Sequence, residues 1–286
     1  MVIRRPGAGG GSSAEPRRTN MILANTFREK LDRGEPTVGT HFLFADTDVP
    51  EIIGDTGMFD YAEYVAEYSA FDMRLLYELA RSAQCGNNLP LMIKLDQEAQ
   101  SFWSQVALGA GFKSVLFTDV RTPEDVDDCH RAIAPDTPNT GGLMGVKLRR
   151  PALGSYSMDG YLEDLESIVF AIMIEKNITV EGIDEVLERA KERGVALTQW
   201  GPADFSFSRG QMRLMGSPEI RQFEERVIAK SLEYGIRPRI EIGAVEQAKR
   251  YIDLGVRDFC IGWDRMIVRA AWMNLGEGMR KALEEL

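Results

Sequence analysis

From Thr37 onward the chain repeats one unit: a short apolar run that reads as a strand, then a helix-like stretch. The runs are Thr37–Leu43, Tyr61–Ala66, Leu91–Leu95, Ser114–Thr118, Phe170–Ile174, Ala196–Trp200, Ile236–Ile240 and Asp258–Ile261. Strands that alternate with helices pair in parallel, because each helix carries the chain back to the starting edge of the sheet. Eight such units predict an α/β fold, a TIM (β/α)8 barrel with an extra C-terminal helix over Ala271 to Leu286. A barrel of this kind takes about 250 residues, and the chain has 286. The intervening helices carry their own signals. Ser217–Pro218–Glu219 is an N-cap followed by Pro at the first helical position, with Ile220, Phe223, Val227 and Ile228 on one face and Gly235 as the stop. Thr122–Pro123–Glu124 opens another helix in the same way.

Two segments depart from the repeat. Residues 1–20 hold the run Gly7–Ala8–Gly9–Gly10–Gly11–Ser12–Ser13 and no apolar stretch of a secretory signal. They read as a disordered extension, with a transit peptide as the alternative, and residues 21–286 as one barrel domain. Pro135 to Tyr156 is a long Gly/Pro-rich loop between the fourth and fifth strands.

Charge and residue usage narrow the function. Asp and Glu total 44 against 34 Lys and Arg, a net charge of -10, which disfavours nucleic acid and anionic lipid surfaces as partners. No apolar run approaches the roughly 20 residues of a membrane helix. The three cysteines, Cys85, Cys129 and Cys260, form no paired motif and suit a reducing cytoplasm. With only His41 and His130 present, any metal must be held largely by oxygen.

Polar residues collect where the strands end: Glu67 and Tyr68 after the second, Lys94 in the third, Asp119, Glu175, Asp204, Glu241 and Asp264 after the fourth to eighth. In a barrel these ends converge on one mouth, the usual place for its chemistry. For any one of them, capping of the following helix is the competing role. Glu175 leaves the apolar strand Ala171–Ile172–Met173–Ile174, where an unpaired buried charge is costly and a cation would supply a partner. Gly201–Pro202–Ala203–Asp204 offers a tight turn with free N–H groups and a second carboxylate.

Met173–Ile174–Glu175 followed by the run from Gly201 to Gly210, GPADFSFSRG, resembles the HpcH/HpaI aldolase/citrate lyase family, whose pattern there reads like IET and then GPADLSASLG. Weaker similarity spans Asn25 to about Arg269, including Ala107 to Val120 and Gly262–Trp263–Asp264. The resemblance implies a metal-dependent, pyruvate-specific aldolase on a TIM barrel. It assigns Glu175 and Asp204 as ligands of Mg²⁺, Mn²⁺ or Co²⁺, and the N–H groups of Ala203 and Asp204, beside Gly201, as the seat of the pyruvate carboxylate. It also implies a homo-oligomer, a hexamer built from trimers or dimers, with the last helix exchanged between neighbours. Where the family reads DGEH after the second strand, this chain reads Val65-Ala66-Glu67-Tyr68, keeping Glu67 and losing the histidine. The family's third-strand arginine falls near Lys94, and its first-strand tryptophan becomes His41.

The expected reaction is cleavage of a 4-hydroxy-2-oxo acid through a pyruvate enolate, or the reverse addition. His41 is the expected base, with Tyr68 bonding the substrate hydroxyl, Lys94 facing the site as a charged group and Glu67 beside it. Three alternatives remain at this point. A Schiff-base aldolase would use Lys94 as nucleophile. A specialised C–C lyase or condensing enzyme would use the same enolate. A silent 2-oxo-acid-binding protein would not turn over at all.

Overall fold

The computed structural model describes residues 24–146, 158–284 and 286. The expected extension over residues 1–20, and residues 147–156 of the expected loop, lie outside the described residues. Eight strands form a closed barrel: β1 (Thr37–Phe42), β2 (Tyr61–Val65), β3 (Leu91–Leu95), β4 (Ser114–Phe117), β5 (Val169–Ile174), β6 (Leu197–Trp200), β7 (Arg237–Ile242) and β8 (Asp258–Trp263). Each pairs in parallel with the next, and β8 returns to β1. Every expected strand is present, β3 with the expected bounds and the others with an end displaced by one or two residues. The largest change is at β7, which runs on to Ile242, so Glu241 lies within the strand. The expected helix starts also hold: Thr122 forms a capping box before Pro123–Ile133, and Ser217 caps Pro218–Glu233.

Side chains alternate across each strand. The outward set, including Phe42, Tyr64, Ile93, Phe117 and Ile172, packs beneath the surrounding helices as the main core. The inward set starts with Tyr61, Met92, Leu116, Val169 and Leu197. Phe27 and Leu31, from the helix Thr26–Asp32, join it. Phe27 stacks on Tyr61 at 4.1 Å between ring centroids. Asn25 fixes that helix: its carbonyl accepts from Arg28 N–H, and its amide donates to the carbonyls of Lys113 and Ser167. The helix therefore stops the mouth of the barrel where the strands begin, leaving the opposite mouth for a site.

Two local features shape the lumen. Gly39 on β1 leaves room for the Tyr61 ring, since a Cβ there would lie 2.2 Å from the ring carbon Cζ. Between β1 and β8 the register shifts, so that Gly39 pairs with Cys260 but His41 with Trp263. The extra residue falls at Ile261–Gly262, and Gly262 adopts φ +83°, a conformation glycine takes freely. This bulge places Trp263 against His41. The chain then enters the long helix Asp264–Leu283, whose start is tied down by the Asp264 carboxylate accepting from the N–H groups of Leu43 and Phe44.

Gly39→Ala should therefore overpack the lumen and cost about 2 kcal/mol or more of unfolding free energy in urea denaturation. Gly276→Ala, in open space on the C-terminal helix, should be neutral or stabilising. Equal effects at the two positions would contradict the packing assigned to Tyr61.

Candidate active site

A cavity of about 450 Å³ opens at the C-terminal mouth. Its wall includes Lys94 from β3, Glu175 after β5, Gly201 and Asp204 after β6, Glu241 from β7 and Trp263 from β8. Tyr68 stands on the rim, 56% exposed. The strand ends thus deliver one group each from most of the way round.

Glu175 is buried, and its Oε1 accepts from Asp119 N–H at 2.8 Å. Asp119 reaches that position with φ +58°, a left-handed turn that aspartate tolerates better than most residues. Burial pushes the Glu175 carboxyl up to about 7, against the opposing pull of the Asp119 N–H and Lys94. Gly201 is required beside it: a Cβ there would sit 2.6 Å from both Cβ and Oε2 of Glu175. Asp204 lies in the first turn of the helix Pro202–Ser208, with its Oδ1 accepting from Lys176 Nζ at 3.0 Å. Lys176 also lies 2.5 Å from Asp119 Oδ1. In that first turn the N–H groups of Ala203 and Asp204 have no intrahelical acceptor. The Gly201 N–H is already used by Ile174 carbonyl at 3.2 Å.

The donor set suits a hard divalent cation. Two carboxylates share one cavity wall, one of them buried and, among the described residues, without a directly bonded cationic side chain, and a glycine keeps the space beside it open. His41, Glu63 and Cys260 also bring ligand-type atoms within 4.8 Å of one another. That group lies below the cavity, and its Glu63 is already paired with Arg239.

Lys94 Nζ pairs with Glu67 Oε2 at 2.5 Å and lies 4.9 Å from the Tyr68 ring centroid. Burial would lower its pKa, but Glu67 and Tyr68 outweigh burial and hold the ammonium well above its ordinary value. A Schiff-base lysine needs the opposite shift. Burial keeps the Tyr68 phenol above its ordinary value against the pull of Lys94, so Tyr68 remains a hydroxyl.

His41 occupies a different place from its neighbours. It is 1% exposed and is not among the residues lining the cavity. Its Nδ1 faces Gly262 carbonyl oxygen at 3.1 Å, and its Nε2 lies 3.6 Å from Glu63 and 3.5 Å from Glu241. The ring stacks on Trp263 at 4.8 Å. Burial alone would hold the imidazole neutral. The Cys260 sulfur and the Glu63 and Glu241 carboxylates outweigh it and push the pKa up to about 9.

Of the residues expected from sequence, Tyr68, Lys94, Glu175, Gly201, Ala203 and Asp204 are brought to one cavity, Glu67 stands behind it as the partner of Lys94, and His41 is held one layer beneath. Sequence reasoning did not assign Lys176, Asp119 or Glu241 to the site. Asp119 and Glu241 were visible as strand-end polar residues, Lys176 only as the residue after Glu175, and nothing in the sequence separates such residues from helix caps. Gln199 and Arg239 also went unassigned, because their inward direction follows only from the register of β6 and β7.

The model of the HpcH/HpaI aldolase/citrate lyase family matches residues 55–270. The 5-keto-4-deoxy-D-glucarate aldolase of Salmonella arizonae is 23% identical over 264 residues, covering 92% of this chain and 99% of that protein. An HpcH/HpaI aldolase/citrate lyase family protein from Burkholderia cenocepacia J2315 superposes with a TM-score of 0.79 at 23% identity, covering 90% of this chain and 100% of its own. A structure titled as a citrate synthase gives 0.77 at 19% identity, covering 91% of this chain and 99% of its own. These two structural likenesses share the barrel.

The His41 environment has a measurable consequence for stability. A histidine whose folded pKa of about 9 exceeds its unfolded value of about 6.5 stabilises the fold fully below pH 6.5. That contribution, on the order of 3 kcal/mol, is lost progressively as pH rises from 6.5 through 9. The unfolding free energy of the parent should therefore fall over that window relative to His41→Gln. Parallel curves would mean that His41 is neutral in the fold.

Proposed function

Because the chain belongs to the HpcH/HpaI aldolase/citrate lyase family, we propose that it is a lyase that cleaves a hydroxylated 2-oxo acid at a C–C bond to release pyruvate, or runs the reverse addition. The observation that carries the reading is the pairing of Glu175 and Asp204 on one cavity wall beside an N–H-bearing helix start. Glu175 and Asp204 would hold a divalent cation such as Mg²⁺, Mn²⁺ or Co²⁺, which when bound supplies Lewis-acid stabilisation of enolate charge.

The protein's own groups do the rest. Ala203 and Asp204 N–H groups donate to the substrate carboxylate, with Gly201 allowing the close approach. Lys94, fixed by Glu67, presents a permanent positive charge that orients the substrate and stabilises developing oxyanion charge. Tyr68 donates a hydrogen bond to a substrate hydroxyl from the rim. Met173 and Trp200 supply apolar wall that keeps water from the reacting carbons. The charge state of Lys94 favours this scheme over a Schiff base.

We place the protein in the cytoplasm, in keeping with three free cysteines, and among the described residues no helix is long and apolar enough to cross a membrane. We also propose a homo-oligomer assembled through the C-terminal helix. Met266, Ile267, Trp272, Leu275, Met279 and Leu283 are all exposed along it, with Trp272 at 71%. An exposed apolar run of that kind marks an interaction surface.

Purified protein stripped with EDTA should lose oxaloacetate decarboxylation and cleavage of 5-keto-4-deoxy-D-glucarate, and Mn²⁺ should restore both; full activity after stripping would sink the cation role. In calorimetry, Glu175→Gln and Asp204→Asn should each weaken Mn²⁺ binding at least tenfold while circular dichroism stays that of the parent. Lys94→Met should lower kcat by about 100-fold and leave Mn²⁺ affinity nearly unchanged. For assembly, Trp272→Glu with Leu275→Glu should reduce the mass measured by light scattering, and an unaltered mass would exclude this helix as the interface.

A further inference from the structure

Among the described residues, Glu241 is the cavity carboxylate whose neighbours suit proton transfer. Its Oε1 accepts from Trp263 Nε1–H at 2.5 Å, and its Oε2 faces His41 Nε2 at 3.5 Å. Behind His41 stands Glu63, and behind Glu63 stands Arg239, which also bonds Tyr61 Oη at 2.6 Å and the Gln199 side chain. Arg239, Glu63, His41 and Glu241 thus form a row of alternating charge that crosses the lumen from β7 to β2, β1 and back to β7. The first three are wholly buried, and only Glu241 reaches the cavity. Replacing such a buried row with hydrocarbon is often neutral or stabilising, so packing alone does not account for it.

The other acidic groups on the wall or just behind it are engaged elsewhere. Glu67 is paired with Lys94. Glu224 accepts from Tyr251 Oη at 3.0 Å and from Arg250 at 3.2 Å. Glu175 and Asp204 are the proposed cation ligands. His41 Nε2 and Glu63 Oε1 make no aligned hydrogen bond, although both are buried. Protonated at both nitrogens, His41 donates to Gly262 oxygen through Nδ1 and lies between the two carboxylates through Nε2. Neutral with the proton on Nδ1, it would instead turn a lone pair toward two anions.

We propose that Glu241 is the base that removes the substrate hydroxyl proton in cleavage, and that His41 and Trp263 are positioning residues that hold its carboxylate toward the cavity. The role rests on the pyruvate-enolate reading given above. The O–H bond breaks as its proton passes to the Glu241 carboxylate, and the freed electron pair forms the aldehyde C=O. The C3–C4 bond breaks with its electrons left on C3 as the enolate, which takes a proton from water to become the pyruvate methyl. Glu241 returns its proton to water, and no oxidant or reductant is needed. His41 therefore serves the proton transfer from one layer below and does not take the proton itself. That revises the role expected of it from sequence.

The test compares two reactions that share the enolate. Oxaloacetate decarboxylation has no hydroxyl proton to remove, whereas cleavage of 5-keto-4-deoxy-D-glucarate or 4-hydroxy-2-oxopentanoate does. With the Mn²⁺-loaded enzyme, Glu241→Gln should lower kcat for cleavage by about 100-fold or more. It should lower decarboxylation by less than fivefold, and Glu241→Asp should recover part of the cleavage. Trp263→Phe, which removes the donor to Glu241 and keeps an aromatic ring at that place, should lower cleavage kcat about tenfold with little change in KM. His41→Gln should show the same split, and Trp263→Phe carries the test if that variant does not fold. Cleavage by Glu241→Gln at the parental rate, or equal loss of both reactions, overturns the base role. A folded, Mn²⁺-loaded parent that performs neither reaction overturns the enolate reading itself and the base role with it.

Discussion

A closed barrel has a lumen that must be filled, and here its middle layer is filled by the Arg239–Glu63 ion pair. Everything above that layer depends on how the pair is satisfied. Arg239 uses its fork on Glu63, Tyr61 and Gln199, so β2 and β6 are both bound to β7 from inside. A lone charge at that depth would be prohibitive, and removing either partner strands the other. The glycine at position 39 belongs to the same arrangement, because it makes room for the Tyr61 ring that Arg239 bonds. The β8 bulge completes it by bringing Trp263 beside His41.

On that floor the mouth of the barrel divides by strand. From β5 and β6 come the carboxylates and free N–H groups suited to a cation and an oxo-acid carboxylate. From β2 and β3 comes a neutral Glu67–Lys94 pair with a phenol over it. From β7 and β8 comes Glu241 with its indole donor. The eight-strand order sets β7 across the mouth from β3, so Lys94 and Glu241 approach a substrate from opposite sides. A permanent cation on one side and a carboxylate on the other is a sound arrangement for moving a proton off a hydroxyl while charge builds on an oxo group.

Much of this was legible in the sequence, for physical reasons. Eight apolar runs between capped helices leave few alternatives to a closed parallel sheet, and strand-end residues must then meet at one mouth. Glu175 stood out because a carboxylate after four apolar residues has to find a partner. Gly201 stood out as the start of a tight turn and through family resemblance, whereas the reason for it in the fold is steric contact with Glu175. His41 was harder. Its place on β1 was clear, but a shift of one register position at the β8 bulge decides whether it enters the cavity or lies under it. Glu241 was obscured in the same way, since a strand two residues shorter would have left it as an ordinary loop acid. Long-range register is set by packing across the lumen, and no local pattern in the chain records it.

The central claim is that Glu175 and Asp204 form the cation site on which the oxo acid sits. A crystal soaked with Mn²⁺ and oxalate, examined by anomalous scattering at the manganese edge, tests it most directly. The account predicts a manganese peak contacted by both carboxylates, with oxalate reaching the N–H groups of Ala203 and Asp204. A peak at His41, Glu63 and Cys260 instead, or none beside Glu175, would contradict it.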